Sequence, residues 1–355
     1  MLSAMRQYFT FTHRALSLLA CVAVLAFTAP AQADELFDQA DVLAIQLDYP
    51  ARQLIREARN PKPLPATLSY TGRGGERVTI ALEVEVRGNK RRETCAASPP
   101  LRLLFKGKAV EGTMFEGQKD LKLVTQCKRA SWYADYVRLE HKAYRIFEQV
   151  TPLSFRTRML EITYRDTDDN DAARTEPAFL IEDISDVAKR NQRKRVRREQ
   201  ISVSDLDPAY AALSAVFQYL IANTDWSIQK PSAGDDECCH NGKPVGPADG
   251  AGAVAVVPYD FDSAGLVNTD YAIPAESLKV RSVTSRIYRG FCSSNDQIPQ
   301  AIAAFNEQRA AIEALFTAGD LGAKSQKAAT KFVGRFFDLI GDENQVRKKI
   351  LDKCR

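Results

Sequence analysis

The stretch LKLVTQCKRASWYADYVRLEHKAYRIFEQ, residues 121–149, decides the reading of the fold, because the hydrophobic period changes inside it. Leu121, Leu123 and Thr125 alternate with Lys122 and Val124 as in a strand, whereas Tyr133, Val137, Glu140, Tyr144 and Phe147 recur at helical spacing. The spacing predicts an amphipathic helix over 131–149, packed against the strands that precede it. Working back from it, residues 42–49, 66–70, 77–87 and 101–105 read as strands. A short helix over 51–59 and Gly/Pro-bearing turns at 71–75 and 98–100 interrupt them. Working forward, 158–164 and 178–182 are two more strands, and then the balance shifts to helix. An apolar helix over 209–222 ends at Asn223-Thr224-Asp225-Trp226. A loop over 230–252 and a strand over 253–258 lead into Tyr259-Asp260-Phe261-Asp262, and helices follow near 298–316, 325–339 and 343–353.

The chain has 355 residues, 45% of them hydrophobic and 26% charged, which excludes collagen-like, coiled-coil and largely disordered classes. A formal net charge of +4 gives no whole-molecule reason to expect nucleic acid or an anionic membrane as a partner. Residues 1–33 read as a secretory signal, with basic Arg6, His13 and Arg14, an apolar run over 15–27 and Ala31-Gln32-Ala33 before the cut. Cleavage there would send the mature chain to the periplasm or the medium. The rival lipoprotein reading at Cys21 has too short an apolar run before it.

Six cysteines remain beyond the leader: Cys95, Cys127, Cys238, Cys239, Cys292 and Cys354. An even number in an exported chain suggests disulfides, and fifteen full pairings exist. Cys95 with Cys127 and Cys292 with Cys354 are the expected pairs. The run Cys238-Cys239-His240 lacks the two-residue spacing that converges on zinc.

Chemistry concentrates in two acidic motifs at element ends, Asn223-Thr224-Asp225 and Asp260-Phe261-Asp262. Phosphoryl transfer uses such groups, one carboxylate to orient the attacking hydroxyl and others to hold a metal against phosphates. Oxygen ligands suit magnesium or manganese.

Several motifs in order resemble the CotH spore-coat kinase family. They are Val86-Arg87-Gly88-Asn89 with the basic strand from Pro100 to Lys106, Leu121 to Val124 running into Tyr136 to Glu140, the strand pair near Arg156 to Tyr164 and Phe179 to Glu182, then Asn223-Thr224-Asp225-Trp226 and Pro258 to Gly265. The resemblance implies a two-lobed, protein-kinase-like α+β fold. Residues 34–182 would form a sheet-rich, nucleotide-binding N-lobe, and residues 183–355 a helical C-lobe carrying the catalytic and metal loops. It implies transfer of the γ-phosphoryl group of ATP to a protein hydroxyl, with Asp225 as catalytic carboxylate and Asp260 and Asp262 on Mg2+ or Mn2+. The family pattern also expects an Asn shortly after the catalytic Asp, but the fifth residue on is Lys230. Either Gln229 substitutes, or an insertion over 231–239 returns Asn241 to the metal, and Asn241 is preferred.

The cation that meets the phosphates is open between Arg87, Lys106 and Lys122. Lys122 precedes the long helix and could pair with Glu140, whereas the basic strand favours Arg102 or Lys106. Glu182, at the expected lobe junction, either faces the nucleotide or forms an ion pair. The run from Lys189 to Arg198 carries seven basic residues and is either a solvated face or a dock for an acidic partner. Nucleic acid is not expected, because no aromatics interleave the run, and no stretch beyond the leader is apolar enough to cross a bilayer. Histidine-dependent nucleophilic catalysis has no Gly-x-Ser-x-Gly elbow to rest on. A non-catalytic envelope or coat interaction module is the alternative to the kinase.

Overall fold

The computed structural model describes residues 36–169, 173–232, 235–250, 252–274 and 278–355. The leader expected over 1–33 lies outside them. The strand-rich half runs β1 (Leu43–Tyr49), α1 (Ala51–Arg56), β2 (Leu64–Thr71), β3 (Arg77–Val86), α2 (Lys90–Thr94), β4 (Leu101–Phe105), α3 (Gly107–Val110), β5 (Asp120–Val124), α4 (Trp132–Val150), β6 (Thr157–Asp166) and β7 (Arg174–Ile181). Alternation in these strands has a direct physical use: Ile45, Leu47, Leu68, Ile80, Leu82, Val84, Leu103, Leu121, Leu123, Leu160, Ile162 and Leu180 are all buried in one cluster.

That cluster fills a closed barrel in the order β1-β2-β3-β4-β5-β7-β6. Closure comes from β1, which pairs antiparallel with β2 through Leu47 and Leu68 and parallel with β6 through Ile45 and Ile162. This corrects the two-lobed, protein-kinase-like fold expected above. That expectation treated the strands as a lobe sheet, whereas here both edges of β1 are paired and the seven-stranded mixed sheet has no free edge.

Strand β7 joins the barrel to the second core because its pleat has two buried faces. Ala178 and Leu180 point into the barrel, while Phe179 and Ile181 lie with Val137, Tyr144 and Phe147 of α4. Helix α4 therefore belongs to the second core although it lies early in the chain. The apolar stripe that predicts the helix is the face it buries, with Tyr133, Val137, Tyr144 and Phe147 all inaccessible.

The remainder is α5 (Ile184–Arg190), β8 (Arg193–Arg195), α6 (Pro208–Leu220), β9 (Gly242–Pro247), β10 (Ala255–Pro258), α7 (Ile298–Glu307), α8 (Arg309–Ala314), α9 (Ala323–Ile340) and α10 (Glu343–Lys349). Helix α6 begins with Pro208 in its first turn, and the Asp207 side chain accepts from the Tyr210 N–H. Phe217 stacks on Phe147 with ring centroids 4.6 Å apart.

The region 230–252 is not all loop. Its Gly242-Lys243-Pro244-Val245-Gly246-Pro247 segment forms β9, central in a small antiparallel sheet between β10 and β8. Glycine and proline hide that strand from a pattern reading. Disulfides join Cys95 to Cys127, Cys292 to Cys354 and the adjacent Cys238 and Cys239. The first two are the expected pairs. No helix among the described residues is long and apolar enough to cross a membrane.

Candidate functional site

A cavity of about 360 Å³ brings Asp225, Asn241, Asp260 and Asp262 together with Arg87 and Arg91. Two elements deliver the acidic pair. Strand β10 ends at Pro258, and Phe261 drops into the core against Tyr144 and Phe217, with centroids at 4.5 and 5.2 Å, leaving Asp260 and Asp262 flanking the anchor. Asp260 takes a left-handed φ of 61°, a conformation that Asp tolerates better than most residues, and its N–H donates to the Tyr144 hydroxyl at 2.9 Å. Burial and the neighbouring Asp262 charge push the Asp260 carboxyl up to about 6.

Asp225 stands on a turn beyond α6. Its N–H bonds the Asn223 Oδ1 at 2.9 Å, and the Trp226 indole donates to the Asn223 carbonyl at 3.0 Å. The Arg289 guanidinium donates to the carbonyls of Thr224 and Trp226 and lies over the buried Trp226 ring. Asn241, sixteen residues after Asp225, donates from Nδ2 to the Asp225 carbonyl at 2.7 Å and to its Oδ2 at 3.3 Å. Gln229, the other candidate for this place, does not line the cavity.

His240 Nε2 lies 2.7 Å from Asp225 Oδ1, and His240 Nδ1 lies 2.7 Å from Ser232 Oγ. Burial works against the Asp225 charge, but the bond from His240 outweighs it and holds the carboxyl below its usual range. The same bond raises the imidazole.

The cationic side differs from expectation. Glu140 is buried and its partner is Arg91, Nη1 to Oε2 at 2.9 Å, while Lys122 has no carboxylate within ion-pair distance among the described residues. Arg91 also donates from Nη2 to the Thr125 carbonyl at 3.0 Å and sits 4.0 Å from Asp262. Burial pushes the Glu140 carboxyl up, and Arg91 at 2.9 Å pulls it back toward the ionised form. Burial also works against the Arg91 charge, but Glu140, Asp262 and Asp260 keep it firmly protonated. The Cys95–Cys127 disulfide, just beyond α2 on one side and β5 on the other, ties the Arg91 helix to the strand it bonds.

Arg87 donates to the Tyr259 hydroxyl, and the ammonium groups of Lys122 and Lys243 lie 5.7 and 5.5 Å from the same ring's centre. None of these three cations is within 4.0 Å of a carboxylate among the described residues. Burial, then Arg87, push Lys122 down to about 8, and burial with Arg195 lowers Lys243.

Lys122 and Glu140 lie beside the cavity without lining it, and Lys106 and Glu182 lie elsewhere. Lys106 is exposed and meets Glu83 at 3.4 Å. Glu182 accepts from Arg190 at 2.9 and 3.0 Å and from the Arg156 N–H at 2.9 Å, which makes it a structural ion pair. Arg102 is taken up by Asp120 and Glu85. The basic run is partly neutralised, Arg190 by Glu182, Arg195 and Arg197 by Glu237, and Arg198 by Asp205.

Sequence reasoning missed Arg91, Lys243 and Ser232, and it weighed His240 only to set it aside. Only Arg91 left a trace, as the second residue beyond Arg87-Gly88-Asn89.

Among the described residues no three His, Cys, Asp or Glu side chains converge as a metal cage. Asp260, Asp262 and the Asn241 amide line the same cavity and could offer oxygen donors, and the repulsion that raises Asp260 is the kind a divalent cation relieves. Such a set fits a metal that takes the rest of its shell from phosphate oxygens and water. No protein-family model matches the chain, and no curated protein matches it significantly.

Proposed function

We propose that the chain is an exported, divalent-metal-dependent phosphotransferase that moves the γ-phosphoryl group of ATP to a protein hydroxyl. The observation that supports this reading most is the meeting of two unlike groups in the lining of one small cavity. Arg87 and Lys243, which share the Tyr259 side chain and have no carboxylate within 4.0 Å among the described residues, line it together with Asp260 and Asp262, and Lys122 adds a third cation at the same ring from outside the lining. Half-buried cations kept apart from anions carry a desolvation cost that a polyphosphate relieves.

Bound there, the metal would neutralise phosphate charge, held by Asp260, Asp262 and the Asn241 oxygen. Asp225, kept ionised by His240, would accept the hydrogen bond of the incoming hydroxyl and orient it in line with the phosphorus. Arg91, anchored on Glu140, fixes the position of Asp262 rather than meeting the nucleotide first. The reading stands on the cavity and keeps the activity implied by the CotH resemblance without the fold that resemblance implied. Three disulfides suit an oxidising compartment such as the periplasm or the medium.

The test is transfer from labelled ATP, with magnesium or manganese, to the chain itself and to a Ser-rich protein. Nucleotide binding by calorimetry is followed alongside. Asp225→Ala should abolish transfer and spare binding, and Asp260→Ala should abolish transfer and weaken metal-dependent binding. A folded wild-type protein that binds no nucleoside triphosphate with either metal overturns the reading. Binding without transfer to any acceptor replaces it with a non-catalytic interaction module.

A further inference from the structure

Ser232, His240 and Asp225 form one continuous line of hydrogen bonds, Oγ to Nδ1 at 2.7 Å and Nε2 to Oδ1 at 2.7 Å. An ionised carboxylate only accepts, so Nε2 carries the hydrogen between His240 and Asp225. In the neutral ring Nδ1 then has a lone pair facing the serine hydroxyl. A base on the hydroxyl and a carboxylate behind the base is the arrangement that turns an alcohol into a nucleophile.

Packing does not demand this order. The Asp225 side chain is 49% and the His240 side chain 31% exposed, so water could satisfy all three groups. The backbone instead holds the histidine in place. Ser227 N–H bonds the His240 carbonyl at 2.9 Å, His240 N–H bonds the Lys230 carbonyl at 2.9 Å, and Cys238 N–H bonds the Arg198 carbonyl at 2.8 Å. The Cys238–Cys239 disulfide immediately precedes the histidine. Ser232 and His240 line the same cavity as Arg87, Lys243 and Asp260.

We propose that Ser232 is a phosphoacceptor of the chain itself, activated by His240 and Asp225 within the cavity. The inference rests on the phosphotransferase reading above. In the step, Ser232 Oγ forms a bond to the γ-phosphorus while the bond from that phosphorus to the β,γ-bridging oxygen breaks. The nucleoside diphosphate leaves with the electron pair, and the serine proton passes to His240 Nδ1 and on to solvent. The products are phosphoserine, nucleoside diphosphate and a proton.

The experiment incubates the full chain with ATP and magnesium or manganese, maps phosphorylated peptides by mass spectrometry, and follows transfer to a Ser-rich protein in parallel. Phosphate on the Ser232 peptide is expected, lost in Ser232→Ala and moved to threonine in Ser232→Thr. His240→Ala should slow that modification by about 10²–10⁴-fold, the usual contribution of a positioned base. If Ser232→Ala fails to fold, the threonine variant keeps the site assignment decisive. Transfer to the Ser-rich protein with an unmodified Ser232 peptide overturns this inference and leaves the phosphotransferase standing. No transfer to any acceptor by folded protein overturns both.

Discussion

Replacing Lys122 by methionine should make the protein more stable and its cavity worse at holding polyphosphate. Lys122 is half-buried on β5 beside Arg87, and burial first, then Arg87, depress its ammonium from 10.5 to about 8. At ~1.4 kcal/mol per unit, that depression is a folding cost of at most about 3–4 kcal/mol. Losing its contact with the Tyr259 ring returns ~0.5–1 kcal/mol of the gain, so Lys122→Met should gain about 1–3 kcal/mol at pH 7. The pH dependence carries the proof. Between about 8 and 10.5 the unfolded lysine binds more protons than the folded one, so wild-type stability from this group rises with pH across that window. The cost is complete below about 8 and absent above 10.5. Urea unfolding at pH 7 and near pH 10.5 should therefore show Lys122→Met ahead at the first and level at the second. ATP binding with magnesium should also weaken in the same variant, because Lys122 adds positive charge at the Tyr259 ring that it shares with the cavity-lining Lys243. A variant less stable than wild type at pH 7, or a stability difference that ignores pH, would refute the claim that Lys122 is an uncompensated cation.

Asp260 titrates in the opposite sense, because burial and Asp262 raise its carboxyl to about 6. Its contribution to stability is greatest below about 3.8 and is lost as pH rises through about 6. Asp260→Asn should thus be the more stable protein at neutral pH, and manganese binding to wild type, followed by calorimetry, should weaken below pH 6. Arg91→Ala should cost about 3–5 kcal/mol in urea unfolding, as removal of one partner of a buried pair does. Arg91→Lys should recover only part of it, because one ammonium cannot reproduce the two guanidinium bonds to Glu140 and the Thr125 carbonyl. Removing the Cys95–Cys127 bridge, whose ends are 32 positions apart, should cost about 3–4 kcal/mol by loop entropy. Removing the adjacent Cys238–Cys239 pair should cost little by that route, and the two can be compared by thermal unfolding.

Local order was legible and closure was not. The change of period between Leu123 and Tyr133 locates β5 and α4 because each side chain's burial follows from the pleat or the helical turn. Nothing in the pattern of β1 says that its second neighbour is β6, since Ile45 meets Ile162 across 117 residues of chain and apolar alternation does not name its partner. The same limit shaped the site. Asp225, Asp260 and Asp262 stand out because short motifs carry them to element ends. The pairing of Glu140 with Arg91 rather than Lys122 depends on where α2 lands after β3. Likewise the Ser232–His240 bond needs β9, whose glycines and prolines read as loop.

The order of the three disulfides bears on how the chain is made. Each cysteine among the described residues is joined to a neighbour in the sequence, 95 to 127, 238 to 239 and 292 to 354. A chain emerging amino-terminus first into an oxidising compartment presents each thiol's correct partner before any later thiol arrives. In such a compartment an oxidase that simply joined cysteines as they appeared would write this connectivity without reshuffling.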